Sequence, residues 1–190
     1  MSKLTKSGNE EIAYRSKMFE IIKRPMKVGN KILEFEIAKR SPGVRLLIIK
    51  KGKILLTKEF RYELDEYDYR LPGGKVFDSL EEYNSALKKD IMPFAIRAAK
   101  KECLEETGLI PNKIRYFQTS QAGATIIWDL FYFIVEDFTE SKKQSLEHGE
   151  VIRPEWKTFK EAKELCLNGK IKEDRTIGIL LKFLMREKPL

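Results

Sequence analysis

A chain of 190 residues, 42% hydrophobic and 35% charged, can bury the core of one compact domain without disulfides or a structural metal. Only Cys103, Cys166 and one histidine, His148, are available, with no Cys-x-x-Cys pair, which excludes a disulfide framework and argues against zinc. The formal charge of +8 attracts phosphates in general, but Lys and Arg are dispersed, so a solvated basic exterior is expected in place of a dedicated nucleic-acid surface.

In chain order, MSKLTKSGNEE has no apolar stretch of the signal-peptide kind. FEIIKRPMKVGNKILEFEIAKR (19–40) reads as two strands around a Val-Gly-Asn-Lys turn, with Leu33, Phe35 and Ile37 alternating with charge. GVRLLIIKKGKILLTKEFRY (43–62) repeats the pattern around Lys51-Gly52-Lys53. The polar stretch ELDEYDYR leads into a glycine-rich loop, LPGGK (71–75), and residues 76–90 have room for a short helix. Pro93 suits the first turn of a longer helix over 93–107, which Gly108 ends. Strand-like KIRYFQTS and TIIWDLFYFIV follow, then helices over 159–169 and 176–188. The longest apolar run, residues 126–135, contains Asp129 and is too short to span a bilayer. No membrane association and a cytoplasmic location are therefore expected. Strands dominate the first two thirds of the chain, giving an α+β or α/β/α layered class.

Within the long helix, Glu102, Glu105 and Glu106 stand at i, i+3 and i+4, on one face. Like charges at that spacing repel by about 0.2–0.5 kcal/mol per pair. An oxygen-loving cation such as Mg²⁺ or Mn²⁺ would relieve them. An ordinary exposed face, with Lys101 and Glu105 as an i,i+4 pair, satisfies the same spacing. Ala95, Ala98 and Ala99 would let this helix approach Pro72-Gly73-Gly74 closely, where bare backbone can offer a carbonyl to metal or amides to phosphate.

The whole phrase KECLEETGL (101–109) resembles the second half of the Nudix box, and LPGGK resembles the loop that opens it. Segments 46–75 and 147–184 are similar to ADP-ribose pyrophosphatase-type members of that family. The resemblance implies a Nudix-type α/β/α sandwich with a mixed sheet, residues 41–190, and a small N-terminal antiparallel strand extension, residues 1–40, that helps build a homodimer. It implies metal-dependent hydrolysis of a nucleoside diphosphate linked to another moiety, ADP-ribose or a related nucleotide sugar. Other readings are a (deoxy)nucleoside triphosphate or dinucleoside polyphosphate hydrolase, or a non-catalytic nucleotide sensor or RNA-binding module.

Carried over residue by residue, the resemblance makes Glu102, Glu105 and Glu106 the Mg²⁺ or Mn²⁺ ligands, with the Gly73 carbonyl as a further one. Glu105 and Glu106 also belong to the catalytic set. Glu150, with Glu147 close behind, corresponds to the general base, ahead of His148. Arg61 and Arg70 correspond to groups that contact substrate phosphate, and Gly74 to part of the substrate-binding loop. Arg61 could instead pair with Asp65 or Glu66, and Arg70 could instead serve a structural ion pair.

The sequence departs from the family pattern in four places. Thirteen extra residues separate Gly74 from Lys101 relative to the box. The box's first glutamate falls on Pro93, with Glu81 or Glu82 as conceivable replacements. Lys101 replaces an arginine, and the proline that often follows the box in ADP-ribose hydrolases is missing from QTSQAGATIIWD (118–129).

Overall fold

A computed structural model describes residues 3–141, 144–146 and 151–186. Among the described residues, two sheets and four helices form an α+β fold. The first sheet is built on the hairpin β3 (Phe19–Val28) and β4 (Lys31–Arg40), whose register runs from Phe19 opposite Arg40 to Val28 opposite Lys31. Gly29 turns the chain with φ +57°. β1 (Thr5–Lys6) and β2 (Glu11–Arg15) share the outer edge of β3, both antiparallel.

The second sheet orders β11 (Ile152–Thr158), β6 (Lys53–Arg61), β5 (Gly43–Lys50), β10 (Leu130–Glu140) and β8 (Leu109–Ser120), with β7 (Glu66–Arg70) also on β6. Only β10 against β5 is parallel here, so the sheet is mixed. β9 (Ile126–Ile127) leaves this sheet and pairs in parallel with β4, linking the two sheets.

Side chains alternate across β5 and β10, and a helical layer covers each face. On one face Val44, Leu46, Ile48, Phe133 and Val135 pack against Ala95, Ala99 and Cys103 of α2 (Met92–Thr107). On the other, Leu47, Tyr132 and Ile134 meet α3 (Phe159–Leu167) and α4 (Asp174–Arg186) through Ala162, Cys166, Leu180 and Phe183. The small residues of α2 let it lie close to the sheet. Gly108, at φ +68°, closes it by donating its N–H to the Leu104 carbonyl at 2.9 Å. Both cysteines are free and buried.

The structure departs from the sequence expectation at two elements. The polar stretch 66–70 is a strand because Asp68, fully buried, is satisfied by Arg70 Nε at 2.6 Å and the Lys172 N–H at 2.9 Å. The apolar run 126–135 is not one strand: Trp128 and Asp129 break it between β9 and β10.

The inserted segment forms α1 (Leu80–Ala86), capped by Ser79, whose hydroxyl accepts the Glu82 N–H at 3.2 Å. Phe77, Leu80, Tyr83 and Ala86 make a small core with Phe94 of α2. On the other side, Leu80 N–H donates to the Lys17 carbonyl at 2.9 Å and Lys39 Nζ donates to Asn84 at 2.6 Å. The insertion thus ties the N-terminal sheet to α2. Among the described residues, no helix is long and apolar enough to cross a membrane.

Candidate functional site

A fork in the second sheet creates the site. β5 and β6 pair only from Ile48 opposite Leu55 to Lys50 opposite Lys53; past that point β6 pairs with β7 instead. The vacated edge of β5 is taken by the glycine loop. Leu46 N–H donates to the Pro72 carbonyl at 2.8 Å, Val44 N–H to the Gly74 carbonyl at 2.9 Å, and Gly43 bridges Lys75. The Gly73 carbonyl takes no part in that pairing.

Glycine is required at 73. Its φ is +146°, and a Cβ there would stand 2.1 Å from the Val44 carbonyl oxygen. At Gly74 a Cβ would stand 2.1 Å from Glu102 Oε1, because that carboxylate fills the space above the loop. Glu106, only 9% exposed, accepts the Gly73 N–H at 2.8 Å. Two carboxylates of α2 are therefore pressed onto one bare backbone segment.

Glu105 lies elsewhere: it pairs with Lys101 at 3.3 Å, the i,i+4 arrangement that spacing alone allowed. Among the described residues, no three His, Cys, Asp or Glu side chains converge on one point. Two carboxylates beside a glycine loop still suit Mg²⁺, a hard cation commonly held by one or two carboxylates and completed by substrate phosphate and water. The donor set fits such an ion.

Ser145 N–H donates to the Glu105 carbonyl at 3.0 Å, and the Gln144 side-chain amide donates to the Glu106 carbonyl. These bonds satisfy carbonyls of the last turn of α2. Glu147, His148 and Glu150 lie outside the described residues.

Arg61 pairs with Glu59 at 2.8 Å, and not with Asp65 or Glu66. Its Nε is buried and has no hydrogen-bond partner among the described residues. Arg70 is held by Asp68 in the ion pair that shapes β7. Glu82 is engaged at the start of α1, where its carboxylate accepts the Asp78 N–H at 3.2 Å, away from the glycine loop.

Sequence reasoning missed a cationic cluster on the opposite face of the sheet. Trp128 lies between Arg40 and Arg175, whose guanidinium carbons stand 4.1 and 4.0 Å from its ring. Burial, reinforced by repulsion from Arg45, pushes the pKa values of both arginines down. Burial also opposes ionisation of Glu173, but Arg45 Nε at 3.8 Å, Thr176, Arg70 and Arg175 outweigh it and hold that carboxyl below its usual range. Burial raises the Asp129 pKa and pushes the Tyr132 hydroxyl to about 12. These residues are scattered along the chain, and no local pattern joins them.

No family model and no curated protein matches this chain in sequence. Its structure is similar to the solved structure described as "Crystal structure of ADP compounds hydrolase". The two align with a TM-score of 0.70 at 18% sequence identity, over 98% of this chain and 94% of the other. That likeness establishes the fold.

Proposed function

We propose that this chain is a metal-dependent hydrolase of the Nudix type. Its substrate is a nucleoside diphosphate linked to another moiety, ADP-ribose or a related nucleotide sugar. The products are a nucleoside monophosphate and a sugar phosphate. One observation carries this reading: Glu102 and Glu106 of one helix both press on the Gly73–Gly74 backbone, Glu106 through a 2.8 Å bond from the Gly73 N–H. The fold shared with a hydrolase of ADP compounds supports the substrate class.

Mg²⁺ or Mn²⁺, when bound, would neutralise charge on the diphosphate and on its leaving group. Glu102 and Glu106 would hold the ion from α2, with the Gly73 carbonyl, between the Pro72 and Gly74 carbonyls that pair with β5, as a further ligand. The Gly73 N–H keeps Glu106 oriented through its 2.8 Å bond. Glu105, paired with Lys101 at 3.3 Å, stays outside that pair. Glu150, or Glu147, is the proposed base that takes the proton of the attacking water, since Ser145 ties the preceding chain to the helical turn of Glu105. Arg61 retains donors suited to substrate phosphate, whereas the Asp68 ion pair gives Arg70 a supporting role. A homodimer through the N-terminal sheet completes the proposal.

The test is chromatographic detection of AMP from ADP-ribose with Mg²⁺ or Mn²⁺, comparing the unaltered protein with Glu106→Gln. Loss of one ligand should cost a few kcal/mol of transition-state stabilisation, or at least about a hundredfold in kcat. Metal-independent release, or full activity in Glu106→Gln, would sink the metal-site assignment. Turnover confined to another nucleotide would replace the substrate and leave the reaction class standing.

A further inference from the structure

Arg40, at the end of β4, has a buried Nε and makes neither a hydrogen bond nor an ion pair among the described residues. Its guanidinium is instead clamped between two rings, its central carbon 4.1 Å from Trp128 and 5.1 Å from Phe19. Ring faces hold the cation in place but leave its in-plane N–H donors unused. Arg175, 4.0 Å from the same indole, donates Nη1 to the Trp128 carbonyl at 2.9 Å and keeps a buried Nη2 without a partner. Arg45 is close enough to repel both. It donates Nη1 to the Val44 carbonyl at 3.0 Å, while its buried Nε stands 3.8 Å from Glu173, too far for a hydrogen bond.

Two carboxylates accompany these three cations. Glu173 faces Arg45 and accepts the Thr176 hydroxyl at 2.5 Å, and Asp129 acts on Arg175. Neither offsets the charge of Arg40, which feels burial and the two other arginines. Unused donors on a partly buried cation beside two like charges are costly unless an anion completes the arrangement. Phe19, the outer ring of the clamp, is 44% exposed and gives an anion a way in from solvent.

We infer that Arg40 and Arg175, gathered on Trp128, form an oxyanion site separate from the carboxylate pair of α2. Its ligand is a phosphate group, carried free or as a monoester. Each guanidinium stands about 4 Å from one ring, so two oxygens of a single phosphate can bridge them. Arg45 adds positive charge behind the pair.

The chain has two tryptophans, so in a Trp156→Phe background indole fluorescence reads Trp128 alone. Titration with inorganic phosphate, ribose 5-phosphate or AMP, without divalent metal and at constant ionic strength, should give a saturable change that chloride does not reproduce. Arg40→Gln should weaken the response at least about tenfold. Phosphate should also raise the thermal midpoint of the unaltered protein, and that rise should vanish in Arg40→Gln. Tighter binding of inorganic phosphate would assign the site to the free anion, and tighter binding of the monoesters to a phosphorylated metabolite. A change reproduced by chloride, no saturable change, or an equal response in Arg40→Gln overturns the site. So does a midpoint that Arg40→Gln lowers by the same amount with and without phosphate, the mark of a purely structural arginine. Should Arg40→Gln not fold, Arg175→Gln supplies the same comparison. Neither readout involves nucleotide hydrolysis, so the oxyanion site and the proposed reaction can fail separately.

Discussion

The two adjacent glycines of the loop do different work, and substitution separates them. At Gly73 the positive φ and the Val44 carbonyl both exclude a side chain, and backbone cannot step aside cheaply. Gly73→Ala should lower stability by at least about 2 kcal/mol, measured by urea unfolding. At Gly74 the obstacle is the mobile end of Glu102, so Gly74→Ala should fold with a nearly unchanged midpoint. It should still lose about 10–100-fold in activity or metal affinity, because Glu102 is displaced. Equal destabilisation by the two alanines would show that the Glu102 contact has been misread.

Residue chemistry also sets a pH limit. Burial pushes the thiols of Cys103 and Cys166 up from about 9 to about 11. Both raised values mean that the folded state holds the proton more tightly than the unfolded chain. Their contribution is complete below pH 9 and is lost as pH rises toward 11, by up to about 1.4 kcal/mol per pH unit for each thiol. Cys103→Ala should therefore flatten the fall in stability measured between these two pH values. An unchanged slope would remove Cys103 as a cause.

At the scale of elements, α1 shows what the thirteen-residue excess does. It is no loose decoration, because Leu80, Tyr83 and Phe77 are buried and α1 touches the N-terminal sheet and α2 together. Leu80→Ala should cost about 2–4 kcal/mol in urea unfolding; a cost below about 1 kcal/mol would make α1 dispensable. The long helix from Pro93 to Gly108 was legible in the sequence because its punctuation is local: a proline at its start, a glycine at its end and alanines on one side. β7 was hidden, since its central Asp68 reads as a solvated residue until Arg70 and the Lys172 amide are brought to it. The break at Trp128-Asp129 was hidden for the same reason: Arg40 and Arg175 reach Trp128 from distant parts of the chain.

Across the whole molecule, the N-terminal sheet leaves apolar surface uncovered. Every residue of β2 is exposed, Tyr14 by 58%, and Ile32 on β4 by 66%. A proposed dimer would bury this surface. Light scattering should give a mass near twice 22.3 kDa, and Tyr14→Glu should shift it toward one copy. A single-copy mass at micromolar concentration would reject the dimer.

Hairpin turns, the extent of α2, the free state of both cysteines and the shared helical face of Glu102, Glu105 and Glu106 were determined by the sequence itself. Each depends on spacing within a few residues. Only the tertiary structure decided how those glutamates divide. The fork between β5 and β6 draws the glycine loop onto Val44 and Leu46, and α2 descends on its small residues until Glu102 and Glu106 meet that loop. Glu105, one step around the helix from Glu106, is left beside Lys101. Helical periodicity can place three carboxylates on one side of a helix, but which of them reach the backbone opposite depends on packing between segments distant in the chain.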